Sequence, residues 1–146
     1  MASTLSNNFS QIAFMGAYGN KSTFTAQIAA FPTMAAADTI DLMRIPGGAL
    51  VINGALMIAT AVSTATLAIG VRYADGTSTG GTTGTAVMGA GVVLTTALTP
   101  QIFPFLPFVN DTDTIIYATV VSPQGAAPGA NIAFAATVDY ESRGTK

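Results

Sequence analysis

Pro46-Gly47-Gly48-Ala49-Leu50-Val51-Ile52-Asn53-Gly54-Ala55-Leu56-Met57-Ile58 is the stretch whose reading decides the fold. A chain breaker opens it, and bulky apolar side chains then recur at every second position, the period of a strand and not of a helix. Leu50, Ile52, Leu56 and Ile58 fall on one face, and Val51, Asn53, Ala55 and Met57 on the other. Asn53-Gly54 between two apolar runs is a hairpin signal. The same pair fits one long strand with Gly54 at a bulge or a close contact. The alternation keeps its phase across the pair, which both readings permit, and the local residues favour the hairpin.

Working outward, Ile45 to Val71 is apolar enough for a hydropathy window to flag a membrane span. It holds Asn53, Thr60, Ser63, Thr64 and Thr66 and alternates, so a transmembrane helix is rejected. Upstream, Thr23–Ile28 and Thr39–Ile45 read as strands. Downstream, Leu67, Ile69, Val71 and Tyr73 alternate with small or polar residues up to the Asp75-Gly76 turn. Gly76 to Gly91 reads as a long flexible surface loop, and Val92–Thr99 as a further strand. Two prolines bar Phe103-Pro104-Phe105-Leu106-Pro107-Phe108 from a central strand, because each removes a ladder donor. Ile115 to Val121 is a β-branched run suited to burial on both sides, and Ile132, Phe134, Val138 and Tyr140 line a closing strand. About six to eight strands, Gly/Pro turns and no amphipathic helix predict an all-β fold. The expected architecture is a single-domain antiparallel β-sandwich or jelly roll with an extended N-terminal arm. Residues 1–22 form the arm, 23–141 the sandwich and 142–146 a polar tail.

Charge is scarce. Only 8% of residues are charged while 50% are hydrophobic, against about 25–35% charged on the surface of an ordinary soluble domain. No charge lies between Arg44 and Arg72, between Asp75 and Asp111, or between Asp113 and Asp139. Such a chain is expected to cover much of its exterior with copies of itself or a partner. With no Cys and no His, thiol chemistry, thiolate metal sites and the usual general base near neutral pH are gone. A net charge of -2 gives no basic footprint for nucleic acid or an anionic membrane, so neither is expected as a partner. The first residues lack the basic and apolar blocks of a secretory signal.

Candidate sites are weighed against plainer roles. An EF-hand started at Asp111 would put Ile116 at the sharp-turn glycine and Ser122 at the bidentate Glu, so Asn110–Asp113 reads as a polar turn. Asp38 and Asp41, three apart about a strand, face opposite ways and read as solvated carboxylates. The glycines of Thr77–Gly84 lack the lysine and helix of a phosphate loop. Asn110-Asp111-Thr112 matches a glycosylation sequon by chance. No serine has a histidine to activate it, so no catalytic, metal or cofactor residue is assigned and no enzyme is expected. The candidates that remain concern assembly. Phe103, Phe105, Leu106 and Phe108 read either as a core plug at one end of a sandwich or as an apolar anchor at a subunit interface, the plug being favoured. Phe9, Phe14 and Tyr18, in a Gly/Asn/Ser arm, point to docking on a neighbour.

The run Asp38-Thr39-Ile40-Asp41-Leu42-Met43-Arg44-Ile45-Pro46-Gly47-Gly48-Ala49 resembles a segment of small tailed-bacteriophage structural proteins, the capsid decoration (cement) and minor head proteins. Thr66–Val71, Asp113–Ile116 and the closing Ile132–Tyr140 follow in the order and spacing of that family, over roughly Thr23 to Glu141. The resemblance implies a β-sandwich that binds the major capsid protein on the outer surface of the virion, often as a trimer, and is made in the host cytoplasm. It also tips Asn53-Gly54 towards a continuous bulged strand. Alternatives from other classes are a neck or tail component and a receptor- or carbohydrate-binding sandwich, with Tyr73 as the one candidate aromatic. An outer-membrane barrel is disfavoured by the lack of paired aromatic girdles.

Overall fold

Strands form where the sequence alternates and also in places where it does not, whereas the strand expected over Val92–Thr99 stops at Val93. The computed structural model describes residues 3–5, 21–28, 35–59, 65–77, 82–122 and 134–142. Its strands are β1 (Ser3–Leu5), β2 (Lys21–Ile28), β3 (Thr39–Ile45), β4 (Ala49–Ile58), β5 (Thr66–Tyr73), β6 (Gly84–Val93), β7 (Gln101–Ile102), β8 (Phe108–Val109), β9 (Thr114–Ser122) and β10 (Phe134–Ser142). One sheet has the order β1-β3-β9-β5-β6 and the other β2-β10-β4-β7, with β8 also pairing β4. From β2 onward the chain changes sheet at every connection except β5–β6 and β7–β8, which is the jelly-roll order. Both sheets are open, so no barrel closes. Every pairing is antiparallel except β1 on β3, where Ser3–Leu5 lie in parallel register with Thr39–Asp41. Phe9, Phe14 and Tyr18 lie outside the described residues.

β4 runs unbroken through Asn53-Gly54, so the hairpin favoured by the local residues does not form. Asp139 faces Asn53 and Tyr140 faces Val51, which leaves Ile52 as the extra residue of a bulge. That residue reverses the phase. Ala49 and Val51 are buried before it, and Gly54, Leu56 and Ile58 after it. Leu50, which simple alternation sets beside Leu56, therefore turns to the opposite face. Glycine is required at position 54, because a Cβ there would stand 2.5 Å from the Phe103 ring.

β6 is the second departure, since a loop was expected as far as Gly91. Its Gly, Thr and Ala residues have little intrinsic strand preference. Pairing with β5 holds it instead, with Leu67 opposite Val92, Ile69 opposite Gly89 and Val71 opposite Gly84. The uneven spacing lets β6 bulge and sink Met88 fully into the core. That core lies between the sheets. Ile40, Leu67, Ile69 and Ile116 meet Leu56, Val138 and Tyr140, all essentially without solvent exposure, and each such side chain contributes roughly 1.5–3 kcal/mol. β9 is buried on both faces from Thr114 to Ala118, whereas Val121 near its end is exposed.

Candidate assembly surface

The chain spends its charges on itself. Lys21, Arg44 and Arg72 are the cations among the described residues, and each is paired internally: with Asp139 at 2.8 Å, Asp113 at 2.8 Å and Asp41 at 2.6 Å. Asp113 also accepts the Gly47 amide at 3.0 Å, so it ties the Pro46–Gly48 turn to the loop before β9. The Lys21 pair is exposed and adds little to stability. Lys21 and Thr23 still outweigh partial burial and hold the Asp139 carboxyl below its usual range.

Asp41 is different. It is only 5% exposed, which corrects the expectation of a solvated carboxylate. It lies in register with Tyr117, and Tyr117 with Gly70, on the outer face of the β1–β6 sheet. Gly70 leaves room for the tyrosine, since a Cβ there would sit 2.7 Å from its Cζ. The Arg72 guanidinium stacks over the Tyr117 ring at 4.9 Å, and its Nη2 donates to both Asp41 oxygens at 2.7 and 2.6 Å. Burial pushes the Asp41 carboxyl above its ordinary value, with the Arg72 charge pulling the other way. Burial likewise raises the Tyr117 hydroxyl. Sequence alone could not join these three groups, which sit on three strands.

Asn110 is buried, and its side chain clamps the root of the Gly/Thr loop. Its Oδ1 accepts from the Thr82 amide at 2.8 Å, while Nδ2 donates to Thr82 O and Thr114 Oγ1, both at 3.1 Å. A side-chain amide held in this way is not presented as a glycosylation acceptor. Tyr73, the aromatic on which a glycan-binding reading depended, is 4% exposed and so offers no stacking face. Asp75, at the neighbouring turn, is held below its ordinary value by the Thr77 amide and hydroxyl.

The Phe-rich segment lies along the lateral seam between the sheets, and not at an end of the sandwich. Gln101 and Ile102 pair with Leu56 and Ala55, and the Phe103 amide donates to Gly54 O at 2.8 Å. Phe108 and Val109 rejoin β4 at Val51 and Leu50. Residues 104–107 leave the ladder between these contacts, opposite the β4 bulge. Phe103 and Phe108 are buried in the core, and Phe105 packs partly against it, edge-on to Phe108 at 5.8 Å. Leu106 points outward and is 87% exposed. Of the four residues singled out in this segment, then, three serve the chain's own interior. Sequence reading missed Ile102 and Val109, exposed on the same edge. The charge-free run from Gly76 to Asn110 was the available clue.

No protein-family model and no curated protein matches this chain. Solved structures do. A chain of the capsid of Ralstonia phage GP4 superposes with a TM-score of 0.74 at 19% identity, covering 99% of this chain and 100% of that one. A chain of the cyanophage Pam1 capsid asymmetric unit gives 0.61 at 19% identity, over 88% and 89%. A chain of the acid-stable capsid of Helicobacter pylori bacteriophage KHP30 gives 0.51 at 16% identity, over 86% and 94%. The protein is a two-sheet jelly roll. Its fold is shared with chains found in the capsids of three phages.

Proposed function

We propose that the chain is a structural virion protein that binds the outer surface of a bacteriophage capsid and reinforces contacts between capsomers. The observation that carries this reading is the end-to-end likeness to the GP4 capsid chain, which is matched over its full length. A domain of this size and fold therefore occurs in a phage capsid. Internal pairing of the described cations supports the reading, because it leaves a charge-poor exterior suited to lattice contacts. The partners are the major capsid protein and copies of this chain, with the trimer as the stoichiometry implied by the resemblance. Phe9, Phe14 and Tyr18 anchor the arm on a neighbour. The role is one of contact and not of catalysis.

Each copy adds apolar contact at about 25 cal/mol per Å² buried. Association entropy and polar desolvation reduce what a single copy gains. Repetition over the shell makes the total resist internal pressure. Capsids lacking the protein, heated or osmotically shocked with and without the purified chain, test this directly. A raised rupture threshold at full occupancy is expected, and identical thresholds would sink the reinforcing role.

A further inference from the structure

Six of the seven large apolar side chains exposed among the described residues belong to one edge of the molecule: Met57, Val93, Leu98, Ile102, Leu106 and Val109. Val121 is the exception. The register explains the clustering. Ile102 lies beside Ala55 and Val109 beside Leu50 on the outer side of β4, Met57 follows two residues on, and Leu98 donates to Ile58 O.

The edge has relief as well as apolarity. Between β6 and β7 lies a groove of about 150 Å³, walled by Gly89, Gly91, Val93, Ile102 and Pro104. A Cβ at Gly91 would meet nothing within 4 Å, so this wall is bare backbone. Gln101 also lines this groove, which is open to solvent and has room for one small aliphatic side chain. Immediately along the same edge, the Pro104–Pro107 excursion holds Leu106 out into solvent. Prolines at both ends fix φ there, so ordering the excursion on contact costs little entropy.

The partner must be uncharged. No charge occurs between Asp75 and Asp111, so a charged group seated on this edge would lose its hydration with no counter-charge to meet. A second copy of this chain meets that condition, bringing a knob of one aliphatic side chain and a groove of that size. We propose that this edge is the contact between copies, with Leu106 of one copy seated in the β6–β7 groove of the next. In a closed ring each copy gives its knob to one neighbour and its groove to the other. The inference rests on the self-association in the reading above and not on capsid binding.

The test uses the full chain in solution. Leu106→Asp lies on an exposed residue and should leave the far-UV circular dichroism unchanged while weakening self-association about tenfold or more. Gln27→Asp, exposed on β2 at the opposite edge of the β2-β10-β4-β7 sheet, should sediment like wild type. Because the chain has no cysteine, mixing a Leu106→Cys variant with a Val93→Cys variant under mild oxidation reports the contact directly. A heterodisulfide is expected in that mixture but not when Gln27→Cys replaces Val93→Cys. A wild-type assembly that persists in Leu106→Asp would overturn this contact and leave the capsid reading standing, even if that variant no longer bound capsids. A wild-type chain that stays monomeric at every concentration would overturn the self-association itself.

Discussion

On the outer face of the β1–β6 sheet, Asp41, Arg72 and Tyr117 are locked onto one another, whereas along β4, β7 and β8 the side chains of Ile102, Leu106 and Val109 stand exposed. Both regions lie on the exterior of the same jelly roll. The first pairs its charged groups within the chain. The second is dominated by exposed apolar side chains, and only a partner can remove them from water. A surface can thus be closed to partners by internal pairing or opened to them by apolarity, and this chain does one on each side.

The sharpest contrast lies within the seam. Phe103→Ala should destabilise the fold by about 3–5 kcal/mol, because the ring fills the space over Gly54 and leaves a cavity. Guanidinium unfolding of the isolated chain measures it, and a loss below about 1 kcal/mol would mean that the seam is not part of the core.

On the closed side, Arg72→Met removes a charged partner and leaves the buried Asp41 carboxylate without it. A loss of about 1–3 kcal/mol is expected in the same experiment. An unchanged midpoint would show that this face is not held by the pair.

The pH dependence sharpens the point. A carboxyl whose folded value is raised takes up a proton more readily in the native state. Its contribution is therefore fully present below the unfolded value near 3.8 and is lost as pH rises through the folded value. Asp41→Asn lacks this contribution. The stability of wild type relative to Asp41→Asn should accordingly grow as pH falls from about 7 to about 4. Asp75 and Asp139, held low, act in the opposite direction, but they are present in both proteins and cancel in the comparison. A difference that shrinks on acidification would reverse the assignment.

The smallest effect belongs to the open side. Leu106→Ser should change folding stability by no more than about 0.5 kcal/mol, since the side chain is exposed in the isolated chain. A larger loss would place Leu106 in the fold and not at a contact.

Alternation made β4, β5 and β10 legible, and the unbroken β-branched run made β9 legible because it is buried on both faces over most of its length. The bulge at Ile52 was not, since a single extra residue reverses inside and outside without changing composition. β6 was hidden for a different reason: its Gly/Thr/Ala residues take strand geometry from β5 and not from their own preference. The aromatic seam could be seen as apolar, but only the β4 register divides Phe103, turned inward, from Leu106, turned outward. The Asp41–Arg72 pair joins residues far apart in sequence on strands separated by β9, and no spacing rule connects them.

The central proposal is that this charge-poor jelly roll is covered by neighbours in a shell. Quantitative mass spectrometry of virions purified from a culture that produces the chain, scaled to the major capsid protein, tests that proposal most directly. The account predicts hundreds of copies per particle. A dozen or fewer, or none, would contradict it.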